Sequence, residues 1–226
     1  MNAGPSAKRL RGMVRVGFPS EFPGDWSRHP MSSDLLPIAV LISGGGTTLK
    51  NLIDRKSRNT LPVEFKLVVS SNSKAKGLEY AQESSIPTRV IRKKDFLDGQ
   101  AHSNAMFEAI RDSGAKLVVM GGYLEHLLIP KDFENRVINI HPSLIPAFCG
   151  QGMFGLHVHQ AALDFGVKVS GCTVHFVDNQ YDHGPILLQR TCEVLDGDTS
   201  ESLQRRVFEL EREALPEAIA KLARRL

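Results

Sequence analysis

Residues 36–53 limit the possible folds more than any other part of the chain. Seven uncharged residues, Leu36-Pro37-Ile38-Ala39-Val40-Leu41-Ile42, run straight into Ser43-Gly44-Gly45-Gly46-Thr47-Thr48. Leu49, Leu52 and Ile53 then recur at helical spacing. An apolar run, a glycine turn and an amphipathic segment make a strand, loop and helix unit. Glycines let the backbone approach a ligand, Thr47 and Thr48 can cap the helix, and free amides at a helix start hold a phosphate. A bare tight turn would read the same way. A dinucleotide fingerprint would need a third glycine where Leu49 stands and an acidic residue near Ser70-Ser71-Asn72. A Walker A loop would need a lysine immediately before Thr47 or Thr48, so a phosphate monoester fits better than either.

The texture persists downstream. Strands are expected over 36–42, 63–70, 88–91, 116–120 and 137–140, with helices over 49–55, 75–84, 101–112 and a short one near Leu124. Such alternation predicts an α/β fold, a Rossmann-like and mostly parallel sheet covered on both faces. After Pro142 come a loop rich in Gly and Phe, a helix over 157–165 and strands over 170–177 and 186–194, so the sheet continues into a mixed C-terminal part. The end, 199–226, reads as helical, with Pro216 marking a kink or a break between two helices. Residues 1–35 hold prolines, glycines and basic residues without periodicity and read as a flexible tail. A single domain is expected over 36–226.

Composition narrows the class. With 226 residues, 42% hydrophobic and 23% charged, the chain resembles an ordinary globular protein, and one domain of this length buries roughly 70% of its unfolded surface. A net charge of +3, spread along the chain, argues against a nucleic-acid partner. The sequence holds no apolar run of membrane-spanning length and no secretory signal, and its three cysteines form neither an even set nor a Cys-x-x-Cys pair. A cytoplasmic protein without membrane or disulfide framework is expected.

In Val137-Ile138-Asn139-Ile140-His141-Pro142 the two polar residues lie two apart on a strand and share a face, and Pro142 ends the strand where α/β sheets bind ligands. An amide beside a protonated imidazole can donate to a developing oxyanion. A hydrogen-bonded histidine at a strand end is the plainer alternative. Asp182, in Asp182-His183-Gly184-Pro185, is either a working carboxylate or a turn residue. His157 and His159 form a His-x-His pair without a third spaced ligand, so no metal is expected.

With these residues assembled, the sequence resembles the phosphoribosylglycinamide formyltransferase family, folate-dependent enzymes of purine biosynthesis. The resemblance covers about 36–216. Its carriers are the loop from Ile42 to Leu49, Val118-Val-Met-Gly-Gly-Tyr-Leu124, Asn139-Ile-His-Pro-Ser-Leu-Ile-Pro146, Gly155-Leu-His157, Gly171-Cys-Thr-Val-His-Phe-Val177 and Tyr181-Asp-His-Gly-Pro-Ile186. It implies 10-formyltetrahydrofolate as co-substrate, glycinamide ribonucleotide as acceptor, and a monomer or homodimer. It further implies Asn139 and His141 on the formyl oxygen, with Asp182 keeping the imidazole charged. Gly45, Gly46, Thr47 and Thr48 would surround the phosphate, and Glu211 would reach the amine and ribose side. Leu124, Leu127, Val177 and Tyr181 would meet the folate, with His157 and His175 in support.

Three departures stand out. Thr47 and Thr48 replace Ser and Asn in the phosphate loop, Glu125 stands where Arg is common, and Cys149-Gly-Gln-Gly-Met-Phe154 lengthens the loop before Gly155. Two rivals, a formyltetrahydrofolate hydrolase and a methionyl-tRNA formyltransferase, are expected to carry an additional domain before or after this one. A nucleotide-binding regulator without turnover is a rival of another class.

Overall fold

The computed structural model describes residues 35–224, so the expected tail lies outside the described residues except for Leu35. Seven strands form one sheet: β1 Leu36–Ile42, β2 Val63–Ser70, β3 Thr88–Val90, β4 Leu117–Met120, β5 Val137–His141, β6 Val169–Phe176 and β7 Ile186–Glu193. Their order is β3-β2-β1-β4-β5-β6-β7. Strands β1 to β5 are parallel, and β6 pairs antiparallel with both β5 and β7. The helices are α1 Thr47–Ser57, α2 Gly77–Glu83, α3 Gly99–Ser113, α4 Leu156–Phe165 and α5 Ser200–Ala223. This is the Rossmann-like, mostly parallel sheet with a mixed C-terminal part.

Strand β1 shows why the sequence opens on an unbroken apolar run. Ile38, Val40 and Ile42 pack with Leu49 and Leu52 of α1 and with Leu215 and Ile219 of α5, while Ala39 and Leu41 pack with Met106, Phe107 and Ile110 of α3. A strand covered on both faces leaves no position for a polar side chain. From β1 the chain moves outward to β2 and β3, then returns to β4 on the other side of β1. The loops after β1 and β4 therefore diverge and leave a crevice at the carboxyl ends of the strands.

Three local expectations are corrected. No helix forms near Leu124, because side chains take the amides a helix would use. Leu124 N–H donates to Ser43 Oγ at 3.0 Å, Leu128 N–H to Ser103 Oγ at 2.9 Å, and Ile129 N–H to Asn179 Oδ1 at 2.7 Å. Pro216 breaks nothing: α5 runs through it as one helix. Proline removes the N–H that would bond the Arg212 carbonyl, and the Asn51 amide of α1 donates to that carbonyl instead, at 2.9 Å. Thr47 and Thr48 do not cap α1. They are its first residues, behind Gly46, which has φ 69° and offers no side-chain cap. A Cβ on Gly46 would lie 2.3 Å from Gly77 Cα, so both the left-handed backbone and contact with α2 demand glycine.

Candidate active site

Strand β5 presents its polar pair as its period of two requires. Ile138 and Ile140 are buried in the core, while Asn139 and His141 both line a cavity of about 890 Å³. The turn beyond His141 is pinned by Thr173 of β6, whose Oγ1 donates to the Ser143 carbonyl at 2.7 Å and accepts from Ile145 N–H at 3.1 Å. The antiparallel register sets His175 opposite Asn139 and Thr173 opposite His141.

The register fixes protonation at His175. Its Nδ1–H donates to the Phe176 carbonyl at 2.8 Å, leaving Nε2 as the lone-pair nitrogen, which accepts from Asn139 Nδ2 at 3.4 Å. Burial pushes the His175 pKa down, in keeping with a neutral ring. One amide hydrogen of Asn139 is thereby tied, which orients the side chain.

Asp182, in the loop between β6 and β7, sets its carboxylate between two imidazoles. Oδ2 lies 3.5 Å from His141 Nδ1 and Oδ1 lies 3.8 Å from His175 Nε2. The Gly150 amide donates to Asp182 Oδ2 at 2.9 Å, and the backbone at Asp182 is left-handed, φ 49°. On its other side His141 Nε2 donates to the Phe148 carbonyl at 3.0 Å. Nε2 of His141 is thus hydrogen-bonded to a carbonyl while Nδ1 faces a carboxylate oxygen at ion-pair distance. The 148–150 segment holds both members of the pair.

The same cavity is lined by Thr47 and Thr48 of α1 and by Gln204, Arg205, Phe208 and Glu211 of α5. These helices are joined by the Asn51 bond to Arg212 and by the Arg55–Glu213 ion pair. Burial alone pushes the Glu211 carboxyl up to about 7. Leu124, Leu127, Val177 and Tyr181 supply an apolar wall, with Tyr181 packed on His126 at 4.7 Å between ring centres. Among the described residues no group of three or more His, Cys, Asp or Glu is placed to hold a metal ion.

Some implied residues stand elsewhere. His157 does not reach the cavity: it is exposed and packs edge-on against Phe154, while His159 is buried and lines the cavity. Residues two apart on a helix point about 200° apart, so only one of the pair can face inward. Burial, and then the charge of His141, push the His159 pKa down to about 4, which keeps it neutral. Gly45 is exposed and Gly46 is turned toward α2, so neither lines the cavity wall. Arg205 escaped the sequence reading, yet it is the one lysine or arginine lining the cavity, and it forms no ion pair among the described residues. The available signal was Phe208, an apolar side chain three residues before Glu211 on an otherwise polar stripe.

The formyl transferase family pattern matches residues 36–219. The chain belongs to the formyl transferase family. It is 34% identical over 182 residues to a phosphoribosylglycinamide formyltransferase of Haemophilus influenzae, covering 79% of this chain and 83% of that one. It is 37% identical over 195 residues to the trifunctional purine biosynthetic protein adenosine-3 of Gallus gallus, covering 85% of this chain but only 19% of that much longer protein. Among solved structures, glycinamide ribonucleotide transformylase 1 of Symbiobacterium toebii superposes with a TM-score of 0.79 at 39% identity, covering 85% and 89% of the two chains. No described helix of this formyl transferase family member is long and apolar enough to cross a membrane.

Proposed function

We propose that the chain is a phosphoribosylglycinamide formyltransferase, moving the formyl group of 10-formyltetrahydrofolate onto the amine of glycinamide ribonucleotide. One observation carries the reading: a single cavity combines the Asn139 and His141 donors, the Asp182 carboxylate, an apolar wall, and a helix start faced by an arginine. Leu124, Leu127, Val177 and Tyr181 suit a flat heteroaromatic ring. The amides and hydroxyls of Thr47 and Thr48, with Arg205, suit a phosphate dianion. Glu211 is placed for the amine and ribose side.

In this mechanism the neutral amine attacks the formyl carbon, a C–N bond forms, and the carbonyl pair moves to oxygen; that pair then returns as the bond from the formyl carbon to the folate nitrogen breaks. Asn139 Nδ2–H and His141 Nε2–H donate to that oxyanion, the formyl oxygen replacing the Phe148 carbonyl as acceptor for His141. Asp182 opposes the imidazolium charge and helps move the amine proton through water to the departing folate nitrogen. No covalent enzyme intermediate and no metal are required. The same reading makes the chain a cytoplasmic enzyme, monomeric or homodimeric, with no nucleic-acid partner.

The test follows the absorbance of a formylated folate analogue with and without glycinamide ribonucleotide. Transfer should need the amine, and Asn139→Ala and His141→Ala should each lower kcat by roughly 100-fold. Deformylation without the amine would favour a hydrolase, and no reaction at all would favour a binding protein.

A further inference from the structure

Helix α5 turns one large apolar side chain away from the core. Leu203, Val207, Leu210 and Ala214 follow helical spacing and pack inward, whereas Phe208, about 100° around the axis from Val207, lines the main cavity beside Gln204, Arg205 and Glu211. Every other described phenylalanine either belongs to a core cluster or faces another aromatic ring, and Phe208 does neither. It is half-buried. A phenyl face bordering an open cavity leaves apolar surface in water until a ligand covers it, and such surfaces are the anchors of small-molecule sites. Nothing in the chemistry described above uses this one.

The place of Phe208 along the helix says what would cover it. It follows Arg205 by three residues and precedes Glu211 by three, so it stands about 4.5 Å along the axis from each. In the function proposed above, on which this inference rests, Arg205 serves the acceptor's phosphate and Glu211 its amine and ribose side. An acceptor laid between the two presents its middle, the furanose ring, to the phenyl face. The wall proposed for the folate comes from Leu124, Leu127, Val177 and Tyr181, outside α5, so Phe208 is the apolar member on the acceptor side. We infer that Phe208 is the platform for the ribose ring, and that this contact makes the protein select a cyclic sugar phosphate over an open-chain phosphate of the same length. One face of a furanose carries carbon-bound hydrogens, and a phenyl ring offers it flat apolar surface that is already rigid.

Covering one face of the ring amounts to burying roughly two methylenes, worth about tenfold in affinity. The experiment measures KM and kcat for glycinamide ribonucleotide, and the inhibition constant of an open-chain analogue in which a flexible alkyl ether of matching length joins the phosphate to the glycinamide. Phe208→Ala should raise the ribonucleotide KM roughly tenfold, with the loss concentrated in KM as expected for a contact made equally before and during reaction. The inhibition constant of the open-chain phosphate should change less than twofold, and so should the folate KM. Phe208→Tyr, which keeps the ring, should restore the ribonucleotide KM to within about twofold, and Phe208→Leu, which keeps an apolar side chain on the helix without a flat face, should fall between. Equal weakening of the ribonucleotide and the open-chain phosphate would overturn the inference alone, as would a rise confined to the folate KM or a tyrosine variant no better than alanine. Absence of transfer to the ribonucleotide in the unaltered protein would overturn the proposed function, and this inference with it.

Discussion

Replacing Glu211 by Gln should stabilise the protein at alkaline pH and leave it unchanged in acid. Burial raises the Glu211 carboxyl from the ordinary 4.5 to about 7. The sign follows from linkage. Below pH 4.5 the carboxyl is protonated in both folded and unfolded chains, and the raised pKa costs nothing. As pH climbs toward 7 the unfolded chain releases its proton first, so the folded state loses stability, and above 7 the loss is complete. At about 1.4 kcal/mol per pH unit the displacement corresponds to about 3–4 kcal/mol at most. Glu211 borders the cavity and is only half-buried, so solvent screening reduces this to about 1–2 kcal/mol. Gln keeps the shape and cannot ionise. Its melting temperature at pH 8 should exceed that of the unaltered protein by about 3–6 °C, with the two converging near pH 4.5. Thermal denaturation at pH 8 and pH 4.5 checks both. An equal gain at the two pH values, or a loss at pH 8, would refute the assignment of the raised carboxyl to Glu211. The gain should be accompanied by a higher KM for glycinamide ribonucleotide, as expected where a destabilised group serves binding.

Three further outcomes follow from single contacts. Arg205→Gln should raise the KM for the phosphorylated acceptor roughly 10- to 100-fold, the worth of a charge-assisted hydrogen bond, while the folate KM stays constant in steady-state kinetics. Asn51→Leu should lower unfolding free energy by about 0.5–1.5 kcal/mol in urea titrations, the net worth of one hydrogen bond, by removing the donor to the Arg212 carbonyl. That loss should shrink in combination with Pro216→Ala, which restores the helical N–H; a loss of equal size in the proline and alanine backgrounds would exclude the rescue. Gly46→Ala should cost at least about 2 kcal/mol, because it combines a left-handed backbone with an overlap on Gly77, and urea denaturation reads this directly.

Much of the fold is legible in the chain because it arises from local periodicity. Strand β1 coincides with the apolar run 36–42, since a strand buried on both faces needs such a run, and β2 with 63–70, where Val63, Phe65 and Leu67 alternate with Glu64 and Lys66 before the buried Val68 and Val69. The period of two places Asn139 and His141 on one face, and the glycines after Ile42 announce the loop at the carboxyl end of β1. Family membership is legible for the same reason: its signature residues cluster in these short segments.

What only the tertiary structure decided are pairings between segments far apart in sequence. The antiparallel register of β5 and β6 sets His175 against Asn139, and the 148–150 segment reaches Asp182 and His141. The rotation of α4 admits His159 and excludes His157. The packing of α1 on α5 brings Asn51 to the carbonyl freed by Pro216 and gathers Arg205, Glu211, Thr47 and Thr48 in one cavity. Local sequence sets which conformations a segment can adopt. Which polar group meets which is set by register and helix rotation, and these answer to the packing of the whole core.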